Sequence, residues 1–187
     1  MRRLTIESLV DFSLRRKLEI FWLLFLTPVV LAQQIKEPQE RLVDLTGKVH
    51  TIGELRGSNA VVNFWATWCG PCKDEMPRLQ KLSQSYADRA VKFVAISIDE
   101  PASQEKIPLV LRKRDFHLPV WQGASVGTLR DLGLGELVPA TVILDAQGNI
   151  IGRIEGEARE KDIASRLDWL LNGRQGKAPK LVQKNDW

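Results

Sequence analysis

Between Ala60 and Tyr86 the hydrophobic period of the chain changes abruptly. "AVVNFWA" (Ala60 to Ala66) is an apolar run rich in β-branched and aromatic residues. It is too short for a helix and reads as a buried strand. From Cys72 to Tyr86 the spacing is helical, with Met76, Leu79, Leu82 and Tyr86 on one side. Only Thr67 to Pro71 separate the two patterns, and both cysteines of the chain, Cys69 and Cys72, lie at this junction. A strand that runs straight into a helix in this way is a unit of an open α/β sheet. Cys69 then sits at the carboxyl end of the strand, where such folds place their chemistry.

The flanking patterns extend this unit. "RLVDLTGKVHTI" (Arg41 to Ile52) alternates around Thr46-Gly47 and predicts a small hairpin. "VKFVAISID" (Val91 to Asp99) is a second buried strand. Ala102 to Asp115 is expected to be helical, with Pro108 kinking or breaking it. "TVILDAQGNIIGRI" (Thr141 to Ile154) reads as strand, turn and strand, and Arg159 to Leu171 as an amphipathic helix. The fold class is therefore α/β: a central mixed sheet flanked by helices, with an N-terminal hairpin and a central insert from Pro101 to Leu137. Trp65, Trp121 and Trp169 are expected in or near the core, and His50 and His117 in loops or on the surface.

Two thiols can exchange electrons, clamp a metal or tie a staple. A structural zinc site wants four ligands, and neither His50 nor His117 has ligand spacing to the pair. A staple between residues three apart closes almost no loop and restrains the unfolded chain very little. A reversible dithiol remains, needing neither metal nor cofactor. Cys69 falls at a helix start, where free N–H groups and the helix dipole favour a thiolate. Cys72 lies one turn further on, placed to resolve a mixed disulfide. Pro71 falls in the first turn, where a missing N–H costs nothing.

"NFWATWCGPCKDEMP", followed downstream by "VPAT" (Val138 to Thr141), resembles the thioredoxin superfamily, and within it the exported TlpA/ResA-like thiol-disulfide oxidoreductases. The resemblance covers about Arg41 to Asn172 and rests most strongly on Trp68-Cys69-Gly70-Pro71-Cys72. It implies a thioredoxin-like fold, Cys69 as attacking and Cys72 as resolving cysteine, Trp68 beside a substrate groove, and Pro139 as a cis-proline that leaves Val138 free to pair with an extended peptide. It also implies protein disulfides as substrates, apocytochrome c among them, and a membrane electron donor of the thiol-reductase type. Cytoplasmic-type thioredoxins carry an aspartate where this chain has Asn63, and an amide cannot relay a proton. Members of this branch place a glutamate three residues past the second cysteine. That residue is Glu75, on the same helix face as Cys72, whereas Asp74 points elsewhere. A Gly-Pro pair between the cysteines resembles reducing members. The alternatives are an oxidant that donates its disulfide, or a non-catalytic factor that binds thiol peptides.

The first 32 residues differ from the rest. Arg2, Arg3, Arg15, Arg16 and Lys17 precede the apolar run Ile20 to Leu31, with Val30 and Ala32 near its exit. This pattern fits a secretory signal. Twelve helical residues reach about 18 Å, short of the roughly 30 Å hydrocarbon core. An uncleaved anchor with its basic end in the cytoplasm is the alternative. Either reading sends the remainder out of the cytoplasm, into a periplasm or its equivalent, as a soluble or membrane-tethered protein. The resulting division is 1–32 signal or anchor, 33–40 linker, 41–172 thioredoxin-like domain and 173–187 polar tail. The net charge of +4 is mild and spread along the chain, and no basic block interleaved with aromatics points to nucleic acid.

Overall fold

The computed structural model of the chain describes residues 40–185. The expectations for 1–32 and for most of the linker lie outside the described residues. The apolar run forms the central strand β3 (Asn59–Trp65), flanked by β4 (Val91–Ser97) in parallel and β6 (Ala140–Leu144) antiparallel. The N-terminal hairpin is β1 (Leu42–Asp44) and β2 (Val49–His50), turning at Gly47 with φ 91°. β5 (Val120–Gln122), β7 (Ile150–Glu155) and β8 (Val182–Lys184) complete an eight-stranded mixed sheet of order β2-β1-β5-β4-β3-β6-β7-β8.

Alternation along β3 divides the core in two. Ala60, Val62 and Phe64 enter one cluster with Ile107 and Leu111 of α2 (Ile107–Lys113) and Leu129 of α3 (Val126–Asp131). Val61 enters the other with Leu79, Leu82 and Tyr86, at the end of α1 (Gly70–Ser85), and Ile163 and Leu167 of α4 (Glu160–Leu171). Asn63 has the parity of Val61, so a polar side chain of the central strand points under α1 and α4.

Two expectations about segments are corrected. The helix expected over Ala102 to Asp115 is two pieces, a 3₁₀ segment Pro101–Lys106 and then α2, with Pro108 in the first turn of α2. A proline that cannot donate inside a helix is tolerated where a new helix begins. Within the central insert, β5 joins β4 to β1. Within 173–187, expected as a loose polar tail, Val182–Lys184 add β8 in parallel to the edge of β7. Arg166 of α4 holds this strand's approach, its guanidinium donating to the Lys180 carbonyl at 2.7 Å and to the Asp162 carbonyl at 2.5 Å. Arg166 packs over Gly152, where an added Cβ would run into Arg166 Cδ.

His50 is also not a surface residue. Its ring stacks on Trp121 of β5 at 4.6 Å between centroids and 8° between planes. Its nitrogens lie 2.9 Å from a Glu54 carboxylate oxygen and 3.2 Å from one of Asp44. This histidine ties the hairpin to the sheet. His117 is exposed, beside Asp115 at 2.8 Å.

Candidate functional site: the Cys69–Cys72 dithiol

The four residues Ala66 to Cys69 turn the chain from β3 into α1. The Cys69 N–H donates to the Ala66 carbonyl at 3.1 Å. Cys69 is the N-cap of α1, with extended φ −80° and ψ 112°, and its sulfur accepts the Cys72 backbone N–H at 3.1 Å. Cysteine thus stands where serine or aspartate ordinarily caps a helix, receiving one of the N–H groups that a helix start leaves free. Cys69 and Cys72 form a disulfide with an S–S distance of 2.01 Å. Cys69 keeps 5% of its surface exposed and Cys72 none. The Val138 carbonyl oxygen lies 3.6 Å from Cys69 Sγ.

Val138 and Pro139 are buried, and the bond between them is cis. Trp68, beside Cys69, is 65% exposed, and Leu137, beside Val138, is 59% exposed. These two large apolar side chains are presented to solvent by the two segments that meet at the disulfide. Pro71 lies in the first turn of α1. A side chain at Gly70 would meet nothing within 4 Å, so this glycine is not required by contact.

Glu75 is fully buried. One carboxylate oxygen accepts from Asn63 Nδ2 at 2.5 Å, the other from the Ala158 N–H at 2.9 Å. Asn63 also donates to Thr141 Oγ1 at 3.1 Å, across the β3–β6 ladder where the two residues are paired. Burial pushes the Glu75 carboxyl up to about 7, because desolvation outweighs the lowering by these two hydrogen bonds. Asp74 is exposed and pairs with Arg114 at 3.1 Å. The two neighbouring carboxylates therefore differ completely in surroundings. Among the described residues, no group of three or more His, Cys, Asp or Glu is arranged to hold a metal ion.

Sequence reasoning missed Asp99. Its carboxylate is buried just past the end of β4, bonded to Thr67 and Ser97. The available signal was an acid at the carboxyl end of the strand next to β3, where open α/β sheets gather their functional groups.

The Redoxin family profile matches residues 31–168 of this chain. The chain belongs to the Redoxin family. Among its relatives, the thiol-disulfide oxidoreductase ResA of Geobacillus kaustophilus is 31% identical, aligned over 70% of this chain and 74% of that protein. The thioredoxin-like protein YneN of Bacillus subtilis is 29% identical over 70% and 76%. Among solved structures, a thiol:disulfide interchange protein of the thioredoxin family from Chlorobium tepidum superposes with a TM-score of 0.59 at 26% identity, covering 72% of this chain and 95% of that one. Another Chlorobium tepidum protein, described as a putative thiol:disulfide interchange protein DsbE, shares the fold at TM-score 0.63 and 22% identity, covering 72% and 95%. This Redoxin protein is a TlpA/ResA-like member of the thioredoxin superfamily and a thiol-disulfide oxidoreductase. Among its described residues, no helix is long and apolar enough to cross a membrane.

Proposed function

We propose that this protein reduces disulfides of exported proteins outside the cytoplasm, with Cys69 attacking and Cys72 resolving. The observation that carries this reading is the asymmetry of the pair: the Cys69 sulfur caps α1 and that residue keeps 5% of its surface exposed, while Cys72 is wholly enclosed. The N–H group that reaches Cys69 Sγ, together with the helix dipole, stabilises a thiolate there. That thiolate attacks one sulfur of a client disulfide, forming a mixed disulfide and releasing the other client sulfur as thiolate. The Cys72 sulfur then attacks Cys69, the Cys69–Cys72 bond forms, and the client leaves with both sulfurs reduced. Two electrons pass to the client, and a membrane-bound dithiol donor returns them in the reverse sequence.

The client peptide lies in extended form along Val138, against Trp68 and the cis Val138–Pro139 segment, in a strand-addition mode. Glu75, one turn beyond Cys72 on the same helix face, takes the proton that Cys72 loses on resolution, by way of a water. A carboxyl group whose pKa is raised to about 7 is matched to this task near neutral pH. Apocytochrome c is a fitting client, being an exported protein whose thiols must be reduced for haem attachment.

Cys72→Ser is expected to trap clients as mixed disulfides on Cys69, visible as adducts on non-reducing gels of extracytoplasmic extracts. Identical bands from the Cys69→Ser/Cys72→Ser variant would show that the adducts are not thiol chemistry. A reduction potential of the isolated protein well above that of a glutathione pool would instead make it a disulfide donor.

A further inference from the structure

Thr67 lies two residues before Cys69, and three of its polar atoms are held. Its N–H donates to Asp99 Oδ2 at 2.8 Å, its hydroxyl donates to Asp99 Oδ1 at 2.6 Å, and its carbonyl accepts from Lys73 Nζ at 3.1 Å. Asp99 is itself fixed. Ser97 Oγ donates to its Oδ2 at 2.8 Å, its own N–H donates to Ser97 Oγ at 2.9 Å, and its carbonyl accepts from Gln104 Nε2 at 3.2 Å. Asp99 is 2% exposed and Thr67 8%. A carboxylate so far from water is costly unless its hydrogen bonds are satisfied, and here two of the donors belong to a single residue of the turn between β3 and α1. The Ile98 N–H also donates to the Trp65 carbonyl at 2.9 Å, so the ends of β3 and β4 are locked together where Asp99 emerges.

We propose that Asp99 is the positioning residue of the dithiol site: through Thr67 it fixes the turn that presents Cys69 Sγ to the N–H groups at the start of α1. The geometry of that turn decides how well the Cys72 N–H points at the Cys69 sulfur, and hence how far the thiolate is stabilised. Asp99 touches neither sulfur in this scheme. It acts from a different strand, and Lys73 acts on the same residue from within α1. The proposal rests on Cys69 being the attacking thiol.

The direction of the effect separates a clamp from a bare charge. A nearby anion acting only through space would disfavour the Cys69 thiolate, so its removal would make Cys69 more acidic. A clamp does the opposite: loosening it weakens the N–H contact and makes Cys69 less acidic. Thr67→Val removes the hydroxyl bond while leaving the Asp99 charge in place. Asp99→Asn removes the charge while keeping an acceptor for Thr67. Asp99→Ala removes both.

The test is the pH profile of iodoacetamide alkylation of the reduced full-length protein, with the labelled cysteine identified by peptide mass. Thr67→Val and Asp99→Ala are expected to raise the midpoint for Cys69 and to slow labelling at pH 7 by about threefold or more, the order for weakening one hydrogen bond. Asp99→Asn should restore most of the wild-type profile. Folded variants with the wild-type midpoint would make Asp99 a stability residue only, and a lower midpoint in Asp99→Asn would make it a charge rather than a clamp. Should Asp99→Ala fail to fold, Thr67→Val and Asp99→Asn decide alone. Wild-type labelling of Cys72 before Cys69 would overturn the functional reading itself, whereas Cys69-first labelling with unmoved midpoints would sink only the role of Asp99.

Discussion

Glu75 buries its carboxyl group between an amide of the central strand and the N–H before α4. In the unfolded chain it ionises near its usual 4.5, and in the folded protein near 7. Below pH 4.5 both states are protonated and the group leaves stability unchanged. As pH rises from 4.5 to 7 only the unfolded state gives up its proton, so stability falls, and above 7 the full penalty persists. Its size is on the order of 3 kcal/mol. Glu75→Gln removes this penalty. Its urea midpoint is expected to gain on wild type steadily between pH 4.5 and 7 and then to hold a constant lead; parallel curves would mean that the group does not titrate in that window. Asp74→Asn is the control, since an exposed ion pair such as Asp74–Arg114 is worth only about 0–1 kcal/mol. The spacing of Cys72 and Glu75 was legible in the sequence, being a property of one helix. The hydrogen bonds from Asn63 and Ala158, and that of Asn63 to Thr141 behind it, were not, because β3, β6 and the loop before α4 bring these residues there.

At the level of elements, α1 was readable because its apolar period is long and its start is marked by Pro71. β5 and β8 were not, each being three residues long and lacking a pattern of its own. What makes β8 a strand is the unpaired edge of β7. The Arg153 N–H donates to the Leu181 carbonyl at 2.7 Å and the Asn185 N–H to the Glu155 carbonyl at 2.8 Å. Asn185 Nδ2 adds bonds to the Glu157 carbonyl and to Asp162. Truncation after Asn172 would strip these bonds and leave the buried Arg166 guanidinium with fewer acceptors. We expect a loss of about 2–4 kcal/mol in urea unfolding, with insulin-disulfide reduction retained at low temperature because the dithiol turn lies on β3 and α1. Unchanged stability would show β8 to be a passive tail, and lost activity in a folded truncation would tie it to the site.

On the scale of the whole molecule, the proposed extracytoplasmic role rests on the sequence before the described residues. Its basic start and its apolar run from Ile20 to Leu31 lead us to expect that the first 40 residues direct export of a reporter active only outside the cytoplasm, with mass analysis separating cleavage after Ala32 from retention as an anchor. A silent reporter would remove the compartment from the proposal. The sequence by itself determined the mixed α/β class, the central strand–cysteine–helix unit and the redox pairing of Cys69 with Cys72, since all three follow from local periodicity and short spacing along one stretch of chain. Only the tertiary structure decided that Glu75 meets Asn63 and Ala158, that Val138 stands against Cys69, that His50 leaves the surface to stack on Trp121, and that Asp99 reaches across to Thr67. Those contacts join residues between 12 and 83 positions apart. Separations of that size are closed by strand order and by which face of the sheet each side chain enters, and neither is written in the period of any single segment.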